Sequence, residues 1–437
     1  MLSLHYAKEE TQMDNLLNRD RNVIWHPFTQ SGIESEMLEV ASAKAASLFL
    51  TSGEELLDGI SSWWCNLHGH GHPDIIRAAT RQFETLDHVL FAGCTHEPAV
   101  RLAERLLPEL PGAPSKVFYS DNGSTAIEVA LKMAIQWWRN RGARRTTIVA
   151  LENSYHGDTF GAMAAGARGI FTKPFDELLF EVKRISTTSS KADTTYLEEL
   201  CATGDVAAFI FEPLVQGAGG MQMYRSEVLN RYIEICKQHG VICIADEVMT
   251  GFGRTGPLFA SSLTTTPPDI ICLSKGLTNG SVPLAITACS EEIFEGFVSP
   301  DHSRTFFHGH TYTGNPIASA IALASLELSL SESCSQARAR INLAHHDCAE
   351  VLKQLPGVTG VRVTGTILAF EIVVDSSARG YTSSIKDAAM KFFRKRGVLL
   401  RPLGNTVYCM PPYCVTDKQL EIVHDSLVEL GSARDLT

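Results

Sequence analysis

Hydrophobic positions along the chain fall into short continuous runs separated by longer stretches with helical spacing. The runs Lys116–Ser120, Thr147–Leu151, Ala207–Phe211, Val241–Ala245, Ile270–Ser274 and Leu284–Ala288 read as strands. Most lack polar alternation, which predicts burial on both faces. Gly123–Asn140 predicts a helix directly after the first run, and Glu227–Gln238 another, with Val228, Tyr232 and Ile235 on its apolar side. Strands alternating with helices predict an α/β fold, a mainly parallel sheet with helices on both faces. Beyond Asn315 the pattern changes. Ile317–Leu330 and Gln336–Leu355 read as helices, Val361–Val374 as strands and Ser384–Arg396 as a helix, and two short strands follow around Leu399 and Tyr408. That segment reads as α+β. The first sixty residues carry Pro27, Gly32, Gly53 and short strand-like runs, and are expected to pack on the C-terminal part. The expected division is an N-terminal segment 1–62 joining the small domain, a large domain 63–325 and a C-terminal small domain 326–437.

Composition narrows the function classes. With 44% hydrophobic and 20% charged residues over 437 positions, the chain is neither disordered, collagen-like nor a coiled coil. Its net charge of −11 argues against broad nucleic-acid binding, which needs a basic footprint. The eleven cysteines are scattered, with no CxxC pair, so neither a zinc ribbon nor a dithiol redox site is expected, and no metal site. A reduced, cytoplasmic protein is the expectation. The N-terminal residues mix Lys8, Glu9, Glu10, Asp14 and Arg19 without an apolar core, unlike a signal peptide. No run of 18 or more apolar residues predicts a membrane helix.

Four features carry candidate chemistry. Asp121-Asn122-Gly123-Ser124-Thr125 sits at a strand-to-helix junction. The partial positive charge of a helix N-terminus suits a phosphate there. Ser and Thr in that place also serve as ordinary caps. Neither a Walker loop nor a GxGxxG fingerprint is present, so ATP and NAD are not indicated. Ile242–Ala245 delivers Asp246-Glu247 at the carboxyl end of a strand, where open α/β sheets bind ligands; a capping or loop carboxylate reads the same way. Ile271-Cys272-Leu273-Ser274-Lys275-Gly276 ends an apolar strand on a lysine, whose pKa falls on burial, as a Schiff-base lysine requires. A lysine snorkelling to the sheet rim is the plainer role. Ser154-Tyr155-His156-Gly157-Asp158 follows another strand, where the tyrosine either packs or stacks on a planar group. Taken singly, His156 reads as structural. Together the four describe a phosphate cup, an aromatic face, an acid for a ring nitrogen and an amine. Pyridoxal 5′-phosphate (PLP) needs those contacts.

The run Ala245-Asp246-Glu247-Val248-Met249-Thr250-Gly251-Phe252-Gly253-Arg254-Thr255-Gly256 resembles the signature of fold-type I, class III aminotransferases. Phe211-Glu212-Pro213 through Gln216–Gly220 and Ser274-Lys275-Gly276 resemble it too. Trp25–Thr29, Asp58–Trp64, Tyr155–Gly161, Phe307–Pro316, Arg401-Pro402 and Tyr408–Tyr413 resemble the biotin-synthesis branch of that class, from about Trp25 to the last helix. The resemblance implies a homodimeric PLP enzyme that aminates 8-amino-7-oxononanoate, with S-adenosylmethionine as donor. It implies Lys275, Asp246 and Tyr155 as catalytic residues, with Lys275 also contacting substrate and Tyr155 stacked on the cofactor and lining the substrate pocket. Gly123 and Ser124 would hold the phosphate, with Thr311 reaching in from the partner subunit, His310 would also bind the cofactor, and Glu212 would support the cofactor region. Trp63, Phe28, Gly309, Arg401 and Tyr408 would contact substrate, Arg401 through its carboxylate. Asp158 and Arg254 are further pocket candidates. Phe28 stands where many members have Tyr, and His310 where some have Pro, so lysine is an alternative donor. An aminotransferase for ω-amino acids or ornithine would share every cofactor residue. A non-catalytic PLP-binding protein on this fold is the rival from outside enzymes.

Overall fold

The computed structural model describes residues 15–32, 37–188, 190–374 and 385–433. A seven-stranded sheet forms the centre, built from β1 (Lys116–Ser120), β2 (Thr147–Leu151), β3 (Val182–Ile185), β4 (Val206–Phe211), β5 (Ile242–Asp246), β6 (Ile270–Leu273) and β7 (Ala285–Cys289). Their order is β1-β7-β6-β5-β4-β2-β3. The pairs from β6 through β5, β4 and β2 to β3 are parallel. β7 runs antiparallel to both β6 and β1, so β1 points the same way as the parallel strands. β3 was not expected from sequence, because Lys183 and Arg184 interrupt its apolar character at the sheet edge.

Side chains alternate between two buried layers, as a strand period of two requires. Ile148, Ala150, Ala208, Ile210, Ile242, Ile244, Ile270 and Cys272 pack on one face. Val149, Leu151, Phe209, Phe211, Cys243, Ala245, Ile271 and Leu273 pack on the other. The helix Gly123–Asn140 covers the first face, placing Ala126, Ala130 and Ala134 against the sheet. These small residues permit close approach, and a fully buried Ile127 beside them contributes about 2 kcal/mol.

Two smaller sheets flank this core. Val40–Lys44, Ser47–Leu50 and Glu55–Asp58 form one, joined by Val398–Leu399 from the far end of the chain, parallel to Glu55–Asp58. Strands from the two ends of the chain therefore share this sheet. Val358–Thr364, Ile367–Ile372 and Thr406–Cys409 make the other, antiparallel sheet. The helices Pro316–Leu330, Glu332–Leu352 and Ile385–Arg394 fall where helical spacing placed them, except that Ser384 lies outside the described residues. Among the described residues no single helix is long and apolar enough to cross a membrane.

Candidate active site

Because β1, β2, β4, β5 and β6 share one direction, their carboxyl ends meet along one edge. That is where open α/β sheets bind ligands. Asp121–Ser124 follow β1, Tyr155–Gly157 follow β2, Glu212 follows β4, Asp246 ends β5 and Lys275 follows β6. A cavity of about 460 Å³ opens between them, lined by these residues with Trp64, Cys65, Val248, Met249 and Pro283.

Each side chain is held by its neighbours. Asn122 caps the Gly123–Asn140 helix by accepting the Thr125 N–H, and Thr125 returns the bond to the Asn122 backbone. Capping thus falls to Asn122 and Thr125. Ser124 is free of it, and its Oγ instead accepts the Asp158 N–H at 3.2 Å. Gly157 sits at φ +128°, and a Cβ there would come within 2.0 Å of Ser124 Oγ. The turn after β2 and the helix N-terminus therefore fit together only with glycine at this position.

Asp246 is buried, and its Oδ1 accepts the Val248 N–H at 3.1 Å. Its Oδ2 lies 2.7 Å from Nδ1 of the fully buried His156 side chain. The carboxylate can only accept, so the imidazole proton sits on Nδ1. Nε2 is left buried without a hydrogen-bond partner among the described residues. Glu212 accepts the N–H groups of Tyr155 at 2.9 Å and Gly217 at 3.0 Å. Burial, and secondarily the Asp246 charge, push its carboxyl up to about 7. The Tyr155 hydroxyl donates to Asp158 at 3.0 Å.

Lys275 occupies the left-handed region, at φ +45°. A non-glycine residue there costs strain, of the kind stored at functional sites. Its Nζ lies 5.1 Å from the Trp64 ring centroid. Burial lowers its pKa, while the charges of Asp246 and Glu212 act against that. The result is an amine with more neutral, nucleophilic character than a surface lysine.

Trp64 reaches the cavity through an unusual turn: Ser61, Ser62 and Trp64 all have positive φ, at 51°, 60° and 69°. Asp58 holds this turn by accepting the Ser62 N–H at 2.8 Å and hydroxyl at 2.9 Å. The Trp64 indole donates to the Tyr408 hydroxyl at 2.9 Å, so Tyr408 stands behind the cavity wall. Trp63 points elsewhere, 44% exposed, with the Arg401 guanidinium 5.5 Å from its ring and Phe28 edge-on at 5.8 Å.

Of the residues singled out from sequence, Gly123, Ser124, Tyr155, Glu212, Asp246 and Lys275 meet in the cavity. Phe28, Trp63 and Arg401 form a second cluster, outside the cavity lining. Gly309, His310 and Thr311 belong to a stretch whose Phe307 and Tyr312 are 73% and 63% exposed. Asp158 is exposed. Arg254 corrects the expectation: it is fully buried, donating to the Pro411 carbonyl at 2.9 Å, and does not line the cavity. Its charge is spent joining loops in the core. Cys65 was not singled out, and His156 and Trp64, present in motifs, were given no place in the site, although all three line the cavity. His156 was legible only as a polar neighbour of Tyr155, and its link to Asp246 spans ninety positions.

A lysine made nucleophilic by burial, a fixed carboxylate and a helix N-terminus, gathered at the carboxyl edge of a mostly parallel sheet, define a PLP-dependent transferase. A family model for class-III aminotransferases matches residues 30–430, and the chain belongs to that family. It is 48% identical to the adenosylmethionine-8-amino-7-oxononanoate aminotransferase of Synechococcus elongatus, over 93% of this chain and 98% of that protein. The enzyme of the same name from Geobacter sulfurreducens is 37% identical over 93% of this chain and 95% of its own length. The crystal structure of the Methanocaldococcus jannaschii enzyme of that name superposes with a TM-score of 0.90 at 34% identity, covering 96% of this chain and 98% of that one. A PLP-bound amine transaminase from an uncultivated Pseudomonas species gives 0.87 at 30% identity, covering 94% and 98%.

Proposed function

We propose that this chain transfers an amino group from S-adenosylmethionine to 8-amino-7-oxononanoate, giving 7,8-diaminononanoate for biotin synthesis. Its form is a cytoplasmic homodimer with shared active sites. The observation that carries the chemistry is the meeting of Lys275, Asp246, Tyr155 and the Gly123-Ser124 helix end in one cavity. The substrate reading rests on the near-complete coverage of relatives bearing that name.

The cavity suits PLP. The capped helix end offers the Gly123 and Ser124 N–H groups to a phosphate, and the buried Nε2 of His156 awaits a partner. Gly123 and Ser124 would hold the phosphate, Tyr155 the ring face, Asp246 the ring nitrogen and Lys275 the carbonyl carbon. When bound, the cofactor draws off electrons as the C–H bond of the donor's amine-bearing carbon breaks, and it carries the amino group between half-reactions. Lys275 Nζ, neutral once released, would take that proton and deliver it to the cofactor carbon on the other side of the amino nitrogen. Asp246, fixed by the Val248 N–H and His156, keeps the ring nitrogen protonated. Arg401, beside Trp63, would hold the far carboxylate of the keto acid and set which carbon meets Lys275. Thr311, on an exposed stretch, would complete the partner's phosphate site.

Lysine is the second reading for the donor, favoured by Phe28, which lacks a hydroxyl, and by His310. Purified protein given 8-amino-7-oxononanoate with either S-adenosylmethionine or lysine separates them. Diamine formed with S-adenosylmethionine supports the proposal, diamine with lysine alone moves the donor, and none with either overturns the substrate.

A further inference from the structure

The helix Gly123–Asn140 carries a polar stripe at four-residue spacing: Ser124, Glu128, Lys132, Gln136 and Asn140. Residues four apart are neighbours on a helix, and over sixteen positions the row winds about 160° around it, so its two ends meet different parts of the chain. Every one of the five is bonded to a separate segment of the chain, Glu128 to the N-terminal turn of the short helix Phe160–Ala165. Ser124 accepts the Asp158 N–H at 3.2 Å. Glu128 Oε1 accepts the Thr159 hydroxyl at 2.6 Å and the N–H groups of Gly161 at 2.8 Å and Ala162 at 3.1 Å. Lys132 Nζ donates to the Phe307 carbonyl at 3.3 Å and lies 3.0 Å from His308 Nδ1. Gln136 donates to the carbonyls of Thr305 at 3.0 Å and Arg304 at 3.3 Å. Asn140 donates to those of Gly296 at 3.1 Å and Arg304 at 3.4 Å.

The stripe serves two segments. Ser124 and Glu128 fix the one that runs from Tyr155 through Asp158 into the helix Phe160–Ala165. The last three members of the stripe fix residues 304–308, which lead into Gly309, His310 and Thr311. Glu128 and Lys132 have the order and spacing of a stabilising helix-surface ion pair, yet each makes its hydrogen bonds to a different segment. Lys132 bonds nearest to Thr311. An ammonium only donates, so His308 accepts through Nδ1 and keeps its proton on Nε2. Burial, then the Lys132 charge, lowers the His308 pKa and favours this neutral form. The imidazole also stacks on Phe306, with centroids 5.9 Å apart.

We propose that Lys132 is a positioning residue for the cofactor site, setting the 304–311 segment so that Thr311 meets the phosphate held by the partner subunit. One helix would then align its own subunit's phosphate cup and the arm sent to the other. This rests on the reading that Thr311 acts across a dimer.

The test uses the holoenzyme, with PLP as probe. Lys132→Met keeps the apolar stem and removes the donors, and the PLP dissociation constant should rise about tenfold, the worth of a charge-assisted hydrogen bond. Activity lost at limiting PLP should return with excess PLP, and Lys132→Arg should restore tight binding. Gln136→Met, one turn along, should show about a threefold effect of the same kind, and serves if Lys132→Met does not assemble. Thr311→Ala is the companion variant. If it weakens PLP binding and both stripe variants do not, the positioning role is overturned. If Thr311→Ala itself leaves PLP binding unaltered, the cross-subunit reading falls, and the role of Lys132 with it.

Discussion

Replacing Asp246 with Asn removes a charge while leaving shape almost intact. Asn Oδ1 can still accept the Val248 N–H that the carboxylate accepts at 3.1 Å. The new NH₂ group faces His156 Nδ1, now 2.7 Å from Oδ2, and the imidazole can move its proton to Nε2 and accept there. The fold should therefore lose about 1–3 kcal/mol, because a charge-assisted hydrogen bond becomes a neutral one and the buried Nε2–H has no partner among the described residues. The chemistry should lose far more. Without a carboxylate the protonated ring nitrogen is no longer favoured, and the half-reaction with donor should slow about 10²- to 10³-fold. That equals about 3–4 kcal/mol, as when one preorganised electrostatic partner is removed. A second consequence is independent of turnover. Asp246 opposes the lowering of the Lys275 pKa, so its neutralisation should move the lysine titration further down. Single-turnover absorbance of the bound cofactor reads the first, and the pH dependence of PLP capture by the cofactor-free protein reads the second. Near-normal turnover in a folded, PLP-loaded variant would falsify the role given to Asp246. An unmoved lysine titration would show that the two side chains do not share a field.

Three other substitutions test separate parts of the site. Arg401→Ala should weaken 8-amino-7-oxononanoate by about 2–5 kcal/mol in kcat/KM, with the donor half-reaction far less affected; equal loss in both halves would make Arg401 structural. Glu212, held protonated up to about 7 against an ordinary 4.5, binds more protons folded than unfolded across that window. Stability of the cofactor-free protein should thus fall as pH rises from about 4.5 to 7, by up to about 3 kcal/mol, and Glu212→Gln should flatten that slope in chemical denaturation. Gly157→Ala should lower the melting temperature and weaken PLP, because its Cβ would fall 2.0 Å from Ser124 Oγ at a φ of +128°. Gly169→Ala, with nothing within 4 Å, should be near neutral, and equal effects at the two positions would refute the steric argument.

Much of this protein was decided by local sequence. Strands buried on both faces need uninterrupted apolar runs, so β4, β5 and β6 could be read directly, and so could the residues at their ends, Glu212, Asp246 and Lys275. The Gly123–Asn140 helix was equally plain, although the cap proved to be Asn122 with Thr125, which leaves Ser124 to the cavity. Features set by contacts between distant segments were not legible. The edge strand β3 carries charges because it covers little, and so lost its apolar signature. Which tryptophan enters the cavity depends on three positive φ angles held by Asp58, a backbone choice that side-chain pattern does not encode. Arg254, within the most recognisable run of the chain, was drawn into the core by the Pro411 carbonyl, 157 positions away. The polar positions from Ser124 to Asn140 look in sequence like ordinary solvated helix surface, and only the tertiary structure gives each of them a distant segment to hold. Short-range physics fixes where strands and helices lie, because it acts through neighbours in the chain. The partners of a polar side chain depend on which distant backbone arrives beside it, and only the folded chain decides that.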